Sequence, residues 1–499
     1  MSEAATIAQA EALMADGKTA EAAKLTETLV SVPQPSHLAL ASHSGALKLS
    51  GRSLEALEFD RQALDRFGSS PIAWYNYAAT LDDLGRGGEA VEAIEQAFRL
   101  GLDAAQAFSL YGRALRSVGN HERANYAYKQ SLMRAPAQVE VAWEYANYVW
   151  MATGDMAAAD SVLDGSFHAG APPAPLLVAK AALYHAAGQP ERAAALLEAA
   201  IQRMPGDTTV LIAGIDFALR LEQVDTAERY VRLAEAASPG DRNVVQHSAI
   251  VDLAQNRADV ALAKLRKTLE AHPEDQSLWG WAATAARATG DPLYGQLCDY
   301  DRMVRAYDLP TPEGWPSLDA FLSDLSRSLK ELHPYQQHPT NQSLRHGSQT
   351  MHLLSGSSDP AIAAFFKAIA APIGEHMALL GQGTDPLRSR NTGAYKIQGA
   401  WSVRLRKDGF HRDHFHPDGW LSSAFYVETP DSALDSPDHE GWIRFGQPPF
   451  VTSPPLPPDH MVRPKPGRLV LFPSYMWHGT VPFTTDEARM TIAFDAVPN

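Results

Sequence analysis

The chain has 499 residues, a formal net charge of −15 and one cysteine, Cys298. This length predicts more than one domain, and a single cysteine excludes an internal disulfide framework and is typical of a reducing compartment. Residues 1–300 contain 37 acidic and 25 basic side chains, against 21 and 18 in residues 301–499. This excess of negative charge argues against a nucleic-acid partner for the first part.

The beginning of the sequence has no basic segment followed by a long apolar run, which a secretion signal would require. No stretch reaches the roughly 20 apolar residues that a membrane span needs. We therefore expect a cytoplasmic protein without a membrane partner. The histidines are concentrated after residue 300, where 11 of the 18 lie, and this indicates where metal chemistry belongs.

The first 300 residues repeat one unit. Glycines recur with a period of 34 residues, interrupted by one insertion, and glycine is suited to close a helix in the left-handed conformation. Glu222 and Asn256 occupy two positions of the same register. The glycines are Gly17, Gly51, Gly85, Gly119, Gly154, Gly188 and Gly290. Five positions further on, a small residue would let the second helix pack closely on the first. These residues are Ala22, Ala56, Ala90, Ala124, Ala159, Ala193, Ala227 and Ala261.

Proline, which ends a helix, follows the second helix of four units at Pro136, Pro205, Pro239 and Pro273. The period and these positions together resemble the tetratricopeptide repeat, with about nine units that we assign to residues 1–305. The resemblance implies an all-α solenoid with a groove that binds a protein or peptide. The repeat itself indicates no chemistry.

The pattern changes after Leu309, where proline and glycine become frequent. Two stretches with helical spacing of apolar residues follow, SLDAFLSDLSRSLKELH and DPAIAAFFKAIAAPIGEHMALL, and we assign residues 306–392 to a linker and supporting helices. From about residue 393 there are short β runs separated by turn residues, among them AYKIQGAWSVRL, LSSAFYVE, GRLVLFPS and RMTIAFDAV. This pattern predicts an antiparallel barrel or jelly roll in residues 393–499.

The segment HRDHFHPDGW, residues 411–420, offers two candidate pairs of metal ligands. Alternate residues of a strand face the same side, so His411 would share one face with Asp413, and His414 would share the other with His416. A regular strand can direct only one pair into a barrel. The remaining ligand is expected from His478, just past the strand predicted for GRLVLFPS.

Arg489 and Thr491 open the final predicted strand, and Arg489 lies eleven residues after His478. An arginine beside a hydroxyl group suits a carboxylate ligand. The guanidinium can bind both carboxylate oxygens, and the hydroxyl adds a further hydrogen bond.

The order of a histidine pair, a distal histidine and an arginine resembles that of the Fe(II)/2-oxoglutarate-dependent oxygenases. More narrowly, HFHPDGWLSSAFYV, GRLVLFPSYMWHGTVPF and ARMTIAFD are similar to the 2OG-Fe(II) oxygenase family that is often fused to tetratricopeptide repeats. HPTNQSLRHGSQT also resembles the upstream segment of that family. The resemblance implies an α+β multidomain chain whose C-terminal double-stranded β-helix (jelly roll) binds Fe(II), with 2-oxoglutarate and O2 as cosubstrates.

The resemblance also implies which residues bind iron. Its His-x-His-Pro element favours His414, His416 and His478, and three protein ligands leave three coordination positions for 2-oxoglutarate and oxygen. The more usual set, a His-x-Asp pair with a distal histidine, corresponds to His411, Asp413 and His478 and stays open as the alternative.

Arg489, with Thr491 beside it, is then expected to bind 2-oxoglutarate. We therefore predict a dioxygenase, specifically a hydroxylase, that acts on a protein or peptide. Because the repeats are acidic, basic residues are expected to flank the oxidised residue. Two alternatives stay open: the same oxygenase chemistry on a small molecule, or a non-catalytic repeat scaffold whose degenerate barrel has lost turnover.

Overall fold

The computed structural model describes residues 2–166, 172–351 and 353–499. It has two compact units, one formed by Met1–Tyr145 with His352–Ser358 and the other by Ala146–Met351 with Asp359–Asn499. The second unit contains both the later helical repeats and the sheets. The helices up to residue 303 are α1 (Glu3–Ala15), α2 (Thr19–Val30), α3 (His37–Leu49), α4 (Ser53–Phe67), α5 (Pro71–Asp83), α6 (Gly87–Arg99), α7 (Ala105–Ser117), α8 (His121–Arg134), α9 (Val139–Thr153), α10 (Met156–Gly165), α11 (Ala174–Ala186), α12 (Pro190–Arg203), α13 (Thr208–Arg220), α14 (Val224–Ala237), α15 (Arg242–Ala254), α16 (Ala258–Ala271), α17 (Gln276–Thr289), α18 (Leu293–Leu297) and α19 (Tyr300–Met303).

The repeat register that the sequence predicts is confirmed. All nine residues expected to close the first helix of a repeat have positive φ, from 57° at Glu222 to 76° at Gly17 and Gly51. The eight alanines of the register are completely buried. Helices α8, α12, α14 and α16 each end two residues before one of the four prolines. The repeats therefore follow from local backbone chemistry and from close packing of the paired helices.

Glu222 is expected to cost stability, because its left-handed φ of 57° is strained for a residue with a side chain. Glycine would relieve about 1 kcal/mol, so Glu222→Gly should raise the melting transition of the second unit by about 1–2 °C, given the size of that unit. The Glu222 side chain is exposed, so little contact is lost. Scanning calorimetry measures the shift. Lys267→Gly, at an exposed position within α16, should instead lower the transition, and a lowered transition for Glu222→Gly would contradict the strain.

The remaining elements are β1 (Arg305–Asp308), α20 (Leu318–Glu331), β2 (Leu344–Gln349), α21 (Pro360–Ala368), α22 (Ala370–Leu380), β3 (Tyr395–His411), β4 (Leu421–Glu428), β5 (Ile443–Phe445), β6 (His460–Val462), β7 (Arg468–Pro473), β8 (His478–Thr480) and β9 (Arg489–Pro498). Within the described residues, these strands form two antiparallel sheets. The six-stranded sheet has the order β1-β7-β4-β9-β3-β2, the three-stranded sheet has the order β6-β5-β8, and neither closes into a barrel. The predicted order of helical repeats followed by an antiparallel sheet domain is confirmed.

Some strands carry no clear signal in the sequence. Strands β1, β2, β6 and β8 have three to six residues, and so short a segment rarely displays a period of two. Strand β2 lies inside the polar segment HPTNQSLRHGSQT, and its partner β3 determines its conformation. His478 follows β7, the strand predicted for GRLVLFPS, and is the first residue of β8.

The stretch Pro360–Leu380 is apolar because it packs on the larger sheet. With 21 residues and a mean hydropathy of 1.3, it is long and apolar enough to cross a membrane, so the expectation that no such stretch exists is wrong by length and composition. The stretch forms two helices, α21 and α22. Phe365 of α21 packs on Phe425 and Phe494, with ring centroids 4.8 and 6.5 Å away.

Within the second unit, the last repeat helix packs against the strand that carries His478. Trp477 lies against Trp281 of α17, with ring centroids 4.7 Å apart, and its Nε1 donates a hydrogen bond of 2.8 Å to Thr284 Oγ1. Gly280 permits this approach, since a Cβ there would lie only 2.9 Å from the carbonyl oxygen of Tyr475. The repeats therefore help to hold the backbone next to His478 in place.

Candidate metal centre

Backbone pairing brings three histidines together from two distant segments. Strand β3 ends at His411, and the chain beyond it pairs with β8 through an isolated antiparallel bridge between His414 and His478. Each of these two residues donates its N–H to the carbonyl oxygen of the other, at 2.9 Å in both directions. The N–H of His416 donates to Ser474 O, also at 2.9 Å.

The three imidazole rings form one compact cluster. One potential ligand atom from each of His414, His416 and His478 lies within 4.8 Å of the other two. The ring centroids are 4.2 Å apart for His414 and His478, 5.0 Å for His416 and His478, and 5.2 Å for His414 and His416. A divalent metal ion held by three imidazoles requires such an arrangement.

Each ring has a partner that fixes which nitrogen carries the proton. The Nδ1 atom of each histidine faces an oxygen that can only accept, so Nδ1 donates and the Nε2 lone pair is left for a metal. The acceptors are Arg412 O for His414 at 2.7 Å, Asp495 Oδ1 for His416 at 2.6 Å and Met476 O for His478 at 3.0 Å. The contact of all three Nδ1 atoms with acceptor oxygens is the observation that fits the donor set to a metal ion.

The protonation state of the cluster also suits metal binding. Burial, followed by the neighbouring His416, lowers the pKa of His414 to about 3, and burial lowers the pKa of His478 well below its usual range. Both rings are therefore neutral at pH 7, as ligation requires. The hydroxyl of Ser343 lies 3.2 Å from His414 Nε2 and 2.9 Å from His411 Nδ1, so a bound metal would displace its contact with His414.

Asp413 does not belong to this cluster. Its carboxylate is buried and is bound at both oxygens by Arg444 of β5, at 2.9 and 2.6 Å. His411 lines the same cavity as the three clustered histidines, with its ring 5.7 Å from that of His414. The segment beyond His411 is not a regular strand, so the strict alternation of faces expected from the sequence does not apply. The structure brings together His414, His416 and His478, and it engages Asp413 elsewhere.

Arg489 and Thr491 line the cavity that contains the histidine cluster. Arg489 is 2% exposed, its Nε donates to Gly441 O at 3.2 Å, and its guanidinium lies 5.0 Å from the ring centroid of Tyr426. Among the residues that the structure describes, no carboxylate lies within 4.0 Å of this guanidinium. A buried cation without a counter-ion is costly, so the site fits an anionic ligand beside the histidines.

Sequence reasoning missed the residues that orient the cluster. Asp495 of β9 accepts hydrogen bonds from His416 and from Ser422 Oγ, both at 2.6 Å. Its signal is a single carboxylate within the apolar run MTIAFDAV. No signal in the sequence marks Ser343 or Arg444, since their partners lie 68 and 31 residues away.

Asp495 is expected to strengthen metal binding without touching the metal. Removing an outer partner of a ligating histidine weakens affinity about 10- to 100-fold, so we expect this loss for Asp495→Ala and a smaller one for Asp495→Asn, which keeps an acceptor oxygen. Anaerobic titration against a chromophoric chelator measures the affinity. Asp486→Ala, at a 92% exposed side chain, is the matched control. Equal affinities for Asp495→Ala and Asp486→Ala would contradict the role.

The fold and site define a class of protein: helical repeats joined to a two-sheet domain that carries a cluster of three histidines with a buried arginine in the same cavity. The sequence profile described as "Putative 2OG-Fe(II) oxygenase" matches residues 399–495, and that described as "Tetratricopeptide repeat" matches residues 184–247. The chain therefore contains one region similar to the 2OG-Fe(II) oxygenase family and one similar to the tetratricopeptide repeat. The family resemblance stated from the sequence is confirmed. No curated protein matches the chain.

Solved structures similar to the chain are tetratricopeptide-repeat proteins. One, from Parabacteroides merdae, is 15% identical, with a TM-score of 0.32 over 47% of this chain and 92% of its own. The C-terminal part of a repeat protein from Cytophaga hutchinsonii is 15% identical, with a TM-score of 0.34 over 47% and 95%. PilF from Pseudomonas aeruginosa is 19% identical, with a TM-score of 0.30 over 49% and 96%.

The match to the 2OG-Fe(II) oxygenase family supports dioxygenase activity, and this family implies Fe(II), 2-oxoglutarate and O2. The three histidines are consistent with that metal. Tetratricopeptide repeats in general mediate protein–protein interaction, which is consistent with a protein partner.

Proposed function

We propose that the protein is a 2-oxoglutarate-dependent hydroxylase whose substrate is a polypeptide bound by the repeats. The observation that carries the proposal is the position of His414, which lines two cavities. One contains the histidine cluster and Arg489. The other is bounded by repeat helices on one side and by the sheet domain on the other. A residue held against the repeats would therefore lie next to one of the proposed iron ligands.

In this function His414, His416 and His478 hold Fe(II), and Arg489 binds a carboxylate of 2-oxoglutarate with Thr491 beside it. With iron bound, O2 is divided between two products: one oxygen atom enters a substrate C–H bond as a hydroxyl, and the other enters succinate as 2-oxoglutarate loses CO2. Asp495 orients His416.

Part of the wall of the metal cavity is apolar. Trp401, Val403, Ile443 and Phe472 contribute apolar side chains to it. Apolar walls limit the contact of the reacting groups with water and strengthen the attraction between Arg489 and a carboxylate.

The test is turnover by the full-length protein. With Fe(II), 2-oxoglutarate and O2 present, a randomised peptide library should increase succinate formation, and mass spectrometry should find peptides that have gained one oxygen atom. A double variant, His414→Ala with His478→Ala, is the control and should form no succinate. Bound iron without succinate under any condition would favour a non-catalytic scaffold, and turnover with small molecules but no peptides would overturn the polypeptide substrate.

The full chain is needed because the repeats and the sheet domain share a core. Phe450 and Trp477 are buried in the same cluster as Trp281 and Leu278 of α17. Residues 301–499 alone would expose these aromatic side chains. A loss of activity in that fragment would therefore report unfolding as readily as loss of substrate delivery.

A further inference from the structure

The second cavity, of about 440 Å³, lies between the repeats and the sheet domain. The repeat wall consists of the first helices of four successive repeats, α11, α13, α15 and α17, which contribute His185, Arg220, His247 and Trp281 among others. The opposite wall includes residues 340–343, Arg345 and residues 412–415. The first of these segments belongs to HPTNQSLRHGSQT, to which the proposed chemistry assigns no substrate contact.

Three arginines from three separate elements line this cavity, and we name it the arginine pocket. They are Arg220 at the end of α13, Arg345 in β2 and Arg412 just after β3. In the part of the chain that the structure describes, no carboxylate lies within 4.0 Å of any of the three guanidiniums. Their charges are therefore not neutralised by ion pairs.

The contacts that these arginines do make are uncharged. Arg345, 9% exposed, donates to the carbonyl oxygens of Gln342 and Leu344 at 2.8 and 2.7 Å. Arg412 contacts the imidazole of His185. Arg220 is exposed and lies over the ring of Phe450, 5.1 Å from its centroid. Each retains donors that an anion could use.

The two carboxylates that line the arginine pocket are already engaged. Asp216 lies 3.4 Å from His247 Nε2, and Asp413 is bound by Arg444. The pocket therefore has an excess of positive charge. Consistent with this, burial and the neighbouring Arg412 and Arg220 lower the pKa of Arg345 to about 9. Burial and the same group of arginines lower the pKa of His185 to about 3.

We propose that the arginine pocket binds an acidic side chain, aspartate or glutamate, of the polypeptide substrate, close to the residue that is oxidised. Guanidinium groups bind carboxylates through paired hydrogen bonds, and His414 lines both this pocket and the metal cavity. A wall made of successive repeat helices suits an extended polypeptide. The inference rests on the proposed function for the oxidation itself, but the binding does not require turnover.

This inference reverses, for the part of the substrate nearest the metal, the expectation that basic residues flank the oxidised one. That expectation came from a charge summed over residues 1–300. The local charge of the arginine pocket has the opposite sign, and charges at short distance outweigh those beyond the screening length of about 8 Å at physiological salt.

Fluorescence anisotropy with the full-length protein tests the arginine pocket directly. The probes are fluorescein-labelled hexaglutamate, hexaglutamine and hexalysine. We expect hexaglutamate to bind at least about tenfold more tightly than the other two, and Arg220→Gln or Arg412→Gln to weaken it about tenfold each, since each removes one charge-assisted contact. Arg266→Gln is the matched control, because Arg266 is exposed on α16 and pairs with Asp291 outside the pocket.

Tighter binding of hexalysine, or equal losses for Arg220→Gln and Arg266→Gln, would overturn the proposal. N-acetylglutamate amide serves as a monomeric competitor. If it displaces hexaglutamate at an equal concentration of carboxylate groups, the proposal that the ligand is part of a polypeptide is overturned, and the pocket binds a small acid instead. If hexaglutamate binds through the arginines while succinate never forms, the pocket stands and the oxygenase function fails. If succinate forms but hexaglutamate does not bind, the oxygenase stands and the pocket fails.

Discussion

Replacing His414 or His478 with alanine is expected to abolish both tight iron binding and succinate formation. Each residue supplies one of three imidazole ligands, and the remaining two do not hold Fe(II) against water. The two residues also pair through their backbones, and alanine preserves that pairing, so the fold should persist. Iron content by metal analysis and succinate formation measure the two effects, and circular dichroism verifies the fold. A variant that retains stoichiometric iron would contradict the assignment.

The choice between the two sequence-derived ligand sets is tested by a second pair of variants. His416→Ala should lose iron, because its ring belongs to the cluster and Asp495 holds its Nδ1, which leaves Nε2 as the potential ligand. Asp413→Asn should retain iron, since its carboxylate is bound by Arg444. Asparagine keeps the shape of the side chain and limits the damage from a buried, unpaired arginine. If Asp413→Asn loses iron while His416→Ala keeps it, the His411, Asp413 and His478 set is correct.

Replacing Arg489 with leucine is expected to raise the KM for 2-oxoglutarate about tenfold to a hundredfold, because a hydrogen bond between charged groups contributes about 1.5–3 kcal/mol. Iron affinity should change little, since Arg489 is not part of the histidine cluster. Steady-state succinate formation over a range of 2-oxoglutarate concentrations measures the KM.

Two further variants sharpen this test. Arg489→Lys keeps the charge but not the paired donors and should have an intermediate KM. Arg463→Leu removes a surface arginine with a 49% exposed side chain and should leave the KM unchanged. An Arg489→Leu enzyme with an unaltered KM for 2-oxoglutarate would show that the cosubstrate carboxylate binds elsewhere.

The sequence alone determined the features that depend on local chemistry. The first helix of each repeat ends at a residue with a left-handed backbone conformation. Because this residue recurs at a regular spacing, its position could be predicted even where Glu222 and Asn256 replace glycine. The candidate ligands followed from residue type and order along the chain. Few side chains have a lone pair that can bind a metal ion, and few have the paired N–H donors that bind a carboxylate. The residues chosen on this basis were His414, His416, His478 and Arg489.

Tertiary structure decided the features that depend on partners distant in the chain. The engagement of Asp413 by Arg444, the orientation of His416 by Asp495, and the approach of Arg220 to Arg345 and Arg412 join residues 31 to 192 positions apart. Spacing along a sequence carries no record of such contacts. The sign of the charge beside the metal centre also depends on the tertiary structure. The net charge of a long segment is a sum over all its side chains, whereas the charge of a cavity depends only on the few side chains that line it.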